Sequence, residues 1–332
     1  MNNLGIVVIG RNEGDRLKTC LVSILEKGSV VYVDSGSTDG SVEFAQSLGI
    51  NTINLDLGEP FTAARARNAG YQLLTILNPA LEYVQFVDGD CEIVPGWLES
   101  ARNTLLEQPE VGVVCGRRRE RFPQSSIYNL LCDLEWNTPI GETKACGGDA
   151  MMRVQAWAEV GGFNPLLIAG EEPELCVRLR EKGWKILRLD QEMTLHDANM
   201  TKFSQWWRRN IRAGFAFAEG SWLHGAPPEK HWRKESRSIW LWGLWIPLIS
   251  LVLIIPTLGW SLGLFLLYPL LVYRIYRYQL SRGYDGKTSG LYAIFCVLGK
   301  FPQLLGQIRF HTLRILGKKS QLLEYKEVAS HT

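Results

Sequence analysis

The 332-residue sequence contains neither a Cys-x-x-Cys pair nor a regular cysteine framework, although it holds seven cysteines (Cys20, Cys91, Cys115, Cys132, Cys146, Cys176 and Cys296). An odd, unpatterned set argues against a disulfide scaffold and against structural zinc, and it predicts reduced thiols in a cytosolic compartment. Excess charge is missing too: 36 Lys and Arg stand against 34 Asp and Glu, a formal net charge of +2. That balance names no polyanionic partner, and nucleic acid is not expected. The first residues run into Leu4-Gly5-Ile6-Val7-Val8-Ile9 without a basic start or a small-residue cleavage site, so no secretory signal is expected. There is no internal repeat and no low-complexity segment. With 46% hydrophobic residues, the chain is globular and long enough for an ordinary core plus further elements.

What is present begins with Val84 to Val94, Val-Gln-Phe-Val-Asp-Gly-Asp-Cys-Glu-Ile-Val. The apolar residues Val84, Phe86 and Val87 predict a strand buried on both faces, with Asp88 and Asp90 at its carboxyl end, where open α/β sheets bind ligands. Gly89 allows the sharp turn that aims both carboxylates at one point, and two hard oxygen ligands suit Mg²⁺ or Mn²⁺ better than zinc. An acidic turn that merely ends a strand has the same sequence.

Ile6 to Ile9 and Val30 to Val33 read as strands, each followed by a loop and a helix-period run, with a third short strand near Asn51 to Leu55. Successive strand–loop–helix units predict parallel pairing with right-handed crossovers, which is a nucleotide-binding architecture by default. Asp34, ending the second strand, can accept from a base edge or ribose hydroxyl, or it can cap its own turn. Asp39 reads as turn and N-cap chemistry. Phe61 to Gly70 reads as a small-residue helix whose Arg65 and Arg67 offer cations to a phosphate or to solvent.

Together these stretches resemble the family 2 glycosyltransferases, whose catalytic domain is the GT-A fold. The resemblance is carried by Val7 to Glu13, Val33 to Gly40, Ala66 to Gly70 and Asp88-Gly89-Asp90, then by Gly147 to Arg153, Val160 to Phe163 and Gly170 to Leu179. It implies a Rossmann-like mixed α/β sheet and transfer of a sugar from a nucleotide-diphospho-sugar donor to a glycan or lipid-linked acceptor. Asp34, Arg67, Asp88 and Asp149 are thereby grouped with the donor, Asp88 and Asp90 with the metal, and Glu172 with the catalytic base. The family usually has Glu-Asp at the base, whereas this chain has Glu171-Glu172-Pro173-Glu174, so Glu171 is the neighbouring candidate.

Inversion at an anomeric carbon needs a carboxylate to take the acceptor's proton while a metal neutralises the leaving diphosphate. Pro173 predicts an extended Glu172 at a helix entrance, with Pro173 as the first helical residue. His196, after the strand read at Leu187 to Leu189, can add a nitrogen ligand to the metal or pair with backbone. Arg208 and Arg212 share a helical face near Trp206 and Trp207, a combination that suits a diphosphate, a sugar ring or a lipid headgroup. Gln205 and Arg208 are followed by Arg209 rather than tryptophan, which departs from the processive-synthase pattern.

From Ile239 to Tyr273 there is no charged residue, a run too long for one membrane span and slightly short for two. Pro256 to Gly259 predicts a turn near its middle, and basic residues on both flanks (Arg233, Lys234 and Arg237; Arg274, Arg277 and Arg282) place both ends in the cytoplasm. The expected organisation is therefore a GT-A domain over residues 1–230, a membrane hairpin over 231–282, and over 283–332 an amphipathic segment with a polar tail, the segment lying on the membrane surface or making a third crossing that Lys300 and Pro302 render expensive. The whole reads as an enzyme on the cytoplasmic membrane, its catalytic domain facing the cytoplasm. Two rivals share features with it. A nucleotidyltransferase would want a glycine-rich, lysine-bearing loop where Gly10-Arg11-Asn12-Glu13 stands, and an inactive membrane scaffold would lack Asp88, Asp90 and Glu172.

Overall fold

The computed structural model describes residues 3–56, 58–59 and 61–318. The chain divides into two compact units between Thr201 and Lys202. This boundary lies earlier than residue 230, because the helix that begins at Phe203 packs with the C-terminal helices.

The first unit is a mixed sheet with helices. Its strands are β1 (Leu4–Gly10), β2 (Ser29–Asp34), β3 (Asn51–Asn54), β4 (Tyr83–Asp88), β5 (Cys91–Ile93), β6 (Val111–Glu120), β7 (Gly141–Glu142), β8 (Ala150–Arg153) and β9 (Lys185–His196). Its helices are α1 (Asp15–Ile24), α2 (Ser41–Ser47), α3 (Ala63–Leu77), α4 (Trp97–Glu107), α5 (Ile127–Trp136), α6 (Val154–Val160) and α7 (Glu171–Glu181). The strand order is β3-β2-β1-β4-β8-β6-β9-β5, with β7 pairing β9. Strands β1 to β4 pair in parallel as their crossovers require, whereas β8 runs antiparallel to both β4 and β6. The β-branched centre of β1 (Ile6, Val7 and Val8) is fully buried between helices, and each such side chain contributes about 1.5–3 kcal/mol.

Register assembles the site. Gly10 pairs with Asp34 and Ile9 with Asp88, so β1 carries both carboxylates to one edge of the sheet. On the other side, β9 sets His196 opposite Cys91 of β5 and opposite Glu120 of β6. Strand β9 extends well beyond the short run read at Leu187 to Leu189, because it has partners on both edges that override its polar middle, Asp190-Gln191-Glu192.

The second unit is helical: α8 (Phe203–His224), α9 (Arg233–Trp240), α10 (Ile246–Val252), α11 (Leu267–Ser281), α12 (Gly286–Leu298) and α13 (Lys300–Ile315). The uncharged run does form a hairpin. Its first arm passes from α9 through one π turn at Leu241–Trp245 into α10, and its second enters α11 through a 3-10 segment at Trp260–Leu266. The reversal sits at Leu258 and Gly259, both at positive φ. The arms are tied by Ser261 Oγ donating to the Ser250 carbonyl at 2.7 Å and by Tyr268 Oη donating to the Trp242 carbonyl. Among the described residues, however, the helix long and apolar enough to cross a membrane is Gly286–Ile315, formed by α12 and α13. The segment read as lying on the surface or crossing a third time therefore meets the length test, whereas the hairpin's α-helices are short, with 8 residues in α9, 7 in α10 and 15 in α11.

Candidate active site

Asp88 ends β4, and its backbone N–H donates to Asp149 Oδ1 at 2.9 Å. Two arginines occupy its carboxylate: Arg67 Nη2 lies 2.7 Å from Oδ1, and Arg118 Nη2 lies 3.1 Å from Oδ2. Arg67 also reaches Glu171 Oε1 at 2.9 Å, and Arg118 reaches Asp149 Oδ2 at 2.7 Å. Burial works against the Asp88 charge, but the two guanidinium groups hold its carboxyl below the usual range. The same acidic neighbours overcome burial to keep both arginines charged.

Gly148 threads this network so closely that an added Cβ would stand 2.8 Å from Asp88 Oδ2 and 3.0 Å from Arg67 Nη2. Only a residue without a side chain brings the 146–149 segment against three charged groups, Asp88, Arg67 and Arg118.

Asp90 is paired with a histidine. Its Oδ2 lies 3.2 Å from His196 Nε2, and His196 Nδ1 faces Glu120 Oε2 at 3.5 Å. Glu120 is itself fixed by the backbone N–H groups of Phe122 and Ala198 and by the Asn129 amide. Trp136 stands edge-on to His196 at 4.7 Å, and the Arg118 guanidinium lies 5.6 Å from the same indole. Burial opposes the imidazolium, but Asp90 beside it raises the His196 pKa.

An ion with ligands about 2.1 Å away at right angles puts neighbouring ligand atoms about 3 Å apart. The Asp90–His196 separation of 3.2 Å fits two adjacent positions around one such ion, and Cys91 Sγ lies in the same group. Asp88, read from the sequence as a second ligand, has both oxygens on arginines and also falls in a group with Cys91 and Asp149 whose ligand atoms lie within 4.8 Å of one another.

The other expected site residues are placed as follows. Asp149 is wholly buried, and its carboxylate meets the Asp88 N–H, the Thr194 hydroxyl and Arg118. Asp34 is 2% exposed and takes hydrogen bonds from Tyr32 Oη and from the Gly36 and Ser37 N–H groups. It holds the turn after β2. Asp39 accepts from Gly14 and Ser41 N–H, as a turn residue should. Two residues apart on α3, Arg65 and Arg67 point to opposite faces: Arg65 bonds the Asp56 and Glu59 carbonyls, while Arg67 is buried. Arg208 and Arg212 lie on α8, in the second unit.

Helix α7 begins at Glu171, two residues before Pro173, because Gly170 at φ 79° supplies the entry. Glu172 is therefore helical and not extended. Pro173 is tolerated inside the first turn, where N–H groups have no intrahelical partner. Glu172 is 7% exposed, and its Oε1 accepts from the Cys146 N–H at 2.5 Å and from the Cys176 thiol at 3.1 Å. Its neighbours are thus neutral, whereas Glu171 is committed to the Arg67 cation.

Arg118, Glu120 and Trp136 were not singled out from the sequence. A run of three arginines reads as solvated charge. The signal was the period of two, which puts Arg118 and Glu120 on one face of β6 while Arg117 and Arg119 pair outward with Asp133 and Glu192.

The family model for glycosyl transferase family 2 matches residues 5–149. The uncharacterized glycosyltransferase YibD of Escherichia coli is 31% identical over 112 residues, covering 32% of this chain and 31% of its own length. Glycosyltransferase AglE of Haloferax volcanii is 22% identical over 225 residues, 64% of this chain and 71% of its own length. This chain thus spans under a third of the first relative. Among solved structures, the mannosyltransferase PcManGT from Pyrobaculum calidifontis, in complex with GDP-Man and Mn²⁺, superposes with a TM-score of 0.55 at 19% identity, covering 96% of this chain and 88% of its own. That likeness concerns the fold alone, a mixed α/β sheet consistent with GT-A, while residues 5–149, under half of the chain, match the model of glycosyl transferase family 2.

Proposed function

We propose that the chain is an inverting glycosyltransferase that moves a sugar from a nucleotide-diphospho-sugar to a glycan or lipid-linked acceptor, with Mg²⁺ or Mn²⁺ held by Asp90 and His196. The observation that carries this reading is the pair of constellations joined through Asp88: the Asp90–His196 donor set at 3.2 Å and the Asp88–Arg67–Glu171 chain that leads to Glu172. When bound, the cation neutralises charge developing on the leaving diphosphate.

The protein's own groups do the rest. Arg67 and Arg118, already charged and buried, orient Asp88 toward the donor ribose and add positive field near the phosphates. Glu172 takes the acceptor's proton. Accepting it costs only neutral hydrogen bonds, whereas a proton on Glu171 would break an ion pair. PcManGT, in complex with GDP-Man and Mn²⁺, supports the class of donor and metal, and AglE supports glycosyl transfer.

Membrane attachment belongs to the same proposal, with the catalytic unit on the cytoplasmic side. Ile255, Leu258 and Trp260 at the hairpin tip are 85%, 91% and 86% exposed, an apolar end that water disfavours, and basic residues flank both arms.

A screen of nucleotide sugars for thermal stabilisation with Mn²⁺, followed by a transfer assay on the donors found, tests the reading. The expected result is metal-dependent stabilisation by one nucleotide sugar and an anomerically inverted product. A retained anomer, or nucleotidyl transfer in place of sugar transfer, would overturn it.

A further inference from the structure

Around the carboxylate of Glu172 lie two thiols that sugar transfer does not use. Cys176 is four residues on along α7 and shares its face, while Cys146 arrives from the segment before β8. The two sulfurs are 3.6 Å apart, Glu172 Oε1 is 3.1 Å from Cys176 Sγ, and all three side chains are buried. A tetrahedral ion with sulfur at about 2.3 Å and oxygen at about 2.0 Å would set the sulfurs about 3.8 Å apart and sulfur from oxygen about 3.5 Å. The observed spacings need only a few tenths of an ångström of adjustment.

We propose that Cys146, Cys176 and Glu172 form a second cation site, selective for a thiophilic ion such as Zn²⁺ or Cd²⁺, and that filling it inhibits transfer by occupying Glu172. Two thiolates and one carboxylate favour a soft ion, whereas Asp90 and His196 offer the oxygen and nitrogen that Mg²⁺ and Mn²⁺ accept. The two sites therefore sort ions by chemistry.

Loading is a ligand exchange. The ion forms two metal–sulfur bonds and one metal–oxygen bond, both thiols release their protons to solvent, and no electron moves. The product carries one net negative charge at the entrance of α7, whose first-turn N–H groups stabilise an anion. Burial holds both thiols protonated in the metal-free protein, so they stay intact as neutral donors until the ion arrives.

The inhibitory half rests on Glu172 being the base, so binding and inhibition are read separately. Reduced full-length protein, saturated with Mg²⁺ to cover the Asp90–His196 set, is titrated with Cd²⁺ while thiolate–cadmium absorption is followed. The expected band is present in wild type and in Cys91→Ala and is lost in the Cys146→Ala/Cys176→Ala double variant. The conservative variants Cys146→Ser and Cys176→Ser, each of which removes one sulfur while keeping a buried polar group, give a second reading in which the band is roughly halved. A band unchanged in both serine variants, or one that survives the double variant, removes the site. A thiolate–cadmium band with full loss of transfer supports the whole proposal, whereas the band with undiminished transfer keeps the site and rejects Glu172 as base.

Discussion

Asp149 Oδ1 accepts the Asp88 backbone N–H at 2.9 Å across 61 positions of sequence. The bond sets the direction in which β4 ends, and therefore where the Asp88 carboxylate can reach. Because Asp149 is also paired with Arg118 in the interior, it is both a positioning and a stabilising residue. Removing one partner of a buried ion pair typically costs about 3–5 kcal/mol, while an exposed pair is worth about 1 kcal/mol or less. Asp149→Ala should accordingly destabilise the first unit severely, and Glu192→Ala, which breaks the half-exposed pair with Arg119, should hardly move it. Urea unfolding followed by tryptophan emission checks this, and equal midpoint shifts would contradict the assignment.

Metal binding should follow Asp90 and His196. Asp90→Ala and His196→Ala are each expected to abolish Mn²⁺-dependent nucleotide binding in titration calorimetry. Burial adds a consequence that strand-end geometry alone does not suggest: Asp90 is 4% exposed, so its loss also strips His196 of its nearest carboxylate and lowers stability. Asp90→Asn, which keeps a hydrogen-bond acceptor, should recover stability without recovering Mn²⁺. Tight Mn²⁺ binding by Asp90→Asn would point to other ligands.

Much of the first unit was legible because its signals are local. Ile6 to Ile9, Val30 to Val33 and Val84 to Val87 are apolar runs that end in acidic or glycine turns, and each is a strand where expected. The partners that decide what each carboxylate does were not legible, since they come from register between distant strands. Nothing near Asp88 in sequence announces Arg118, and nothing near Glu172 announces Cys146. Pro173 misled for a related reason: its bias on Glu172 was outweighed by Gly170, whose positive φ starts the helix earlier. The hairpin turn at Pro256 to Gly259 was readable from composition, but the change of helix type within each arm was not.

The base assignment predicts an asymmetry between adjacent residues. Glu172→Gln should lower turnover by about 10²–10⁴-fold with donor affinity nearly unchanged, because the base meets the acceptor and not the diphosphate. Glu171→Gln removes one of Arg67's two partners, so its effect should fall on donor binding, with a milder loss of turnover. Single-turnover rates and donor titrations on both variants separate the cases, and a larger turnover loss in Glu171→Gln would reverse the assignment.

Attachment is expected to depend on the uncharged hairpin. Deleting residues 239–273 removes the exposed apolar tip and should release the chain from anionic vesicles after a high-salt wash in a flotation assay. Continued flotation of the deleted chain would make Gly286–Ile315 the anchor instead.

A pH effect should arise in the second unit from Glu219 on α8. Its Oε2 is buried without a hydrogen-bond partner, and burial raises its pKa to about 7. An unfolded glutamate titrates near about 4.3, so between these values the folded chain holds a proton that the unfolded chain has released. Stability then falls as pH rises through that window and levels off above about pH 7. Glu219→Gln cannot ionise and should lose this slope. Melting of detergent-solubilised protein at about pH 5 and about pH 8 should show a larger drop for wild type than for Glu219→Gln. The difference between the two chains, and not the absolute trend, is the quantity that matters, because every other titrating group is common to both. An identical drop in both chains would mean that Glu219 is charged in the folded state at neutral pH.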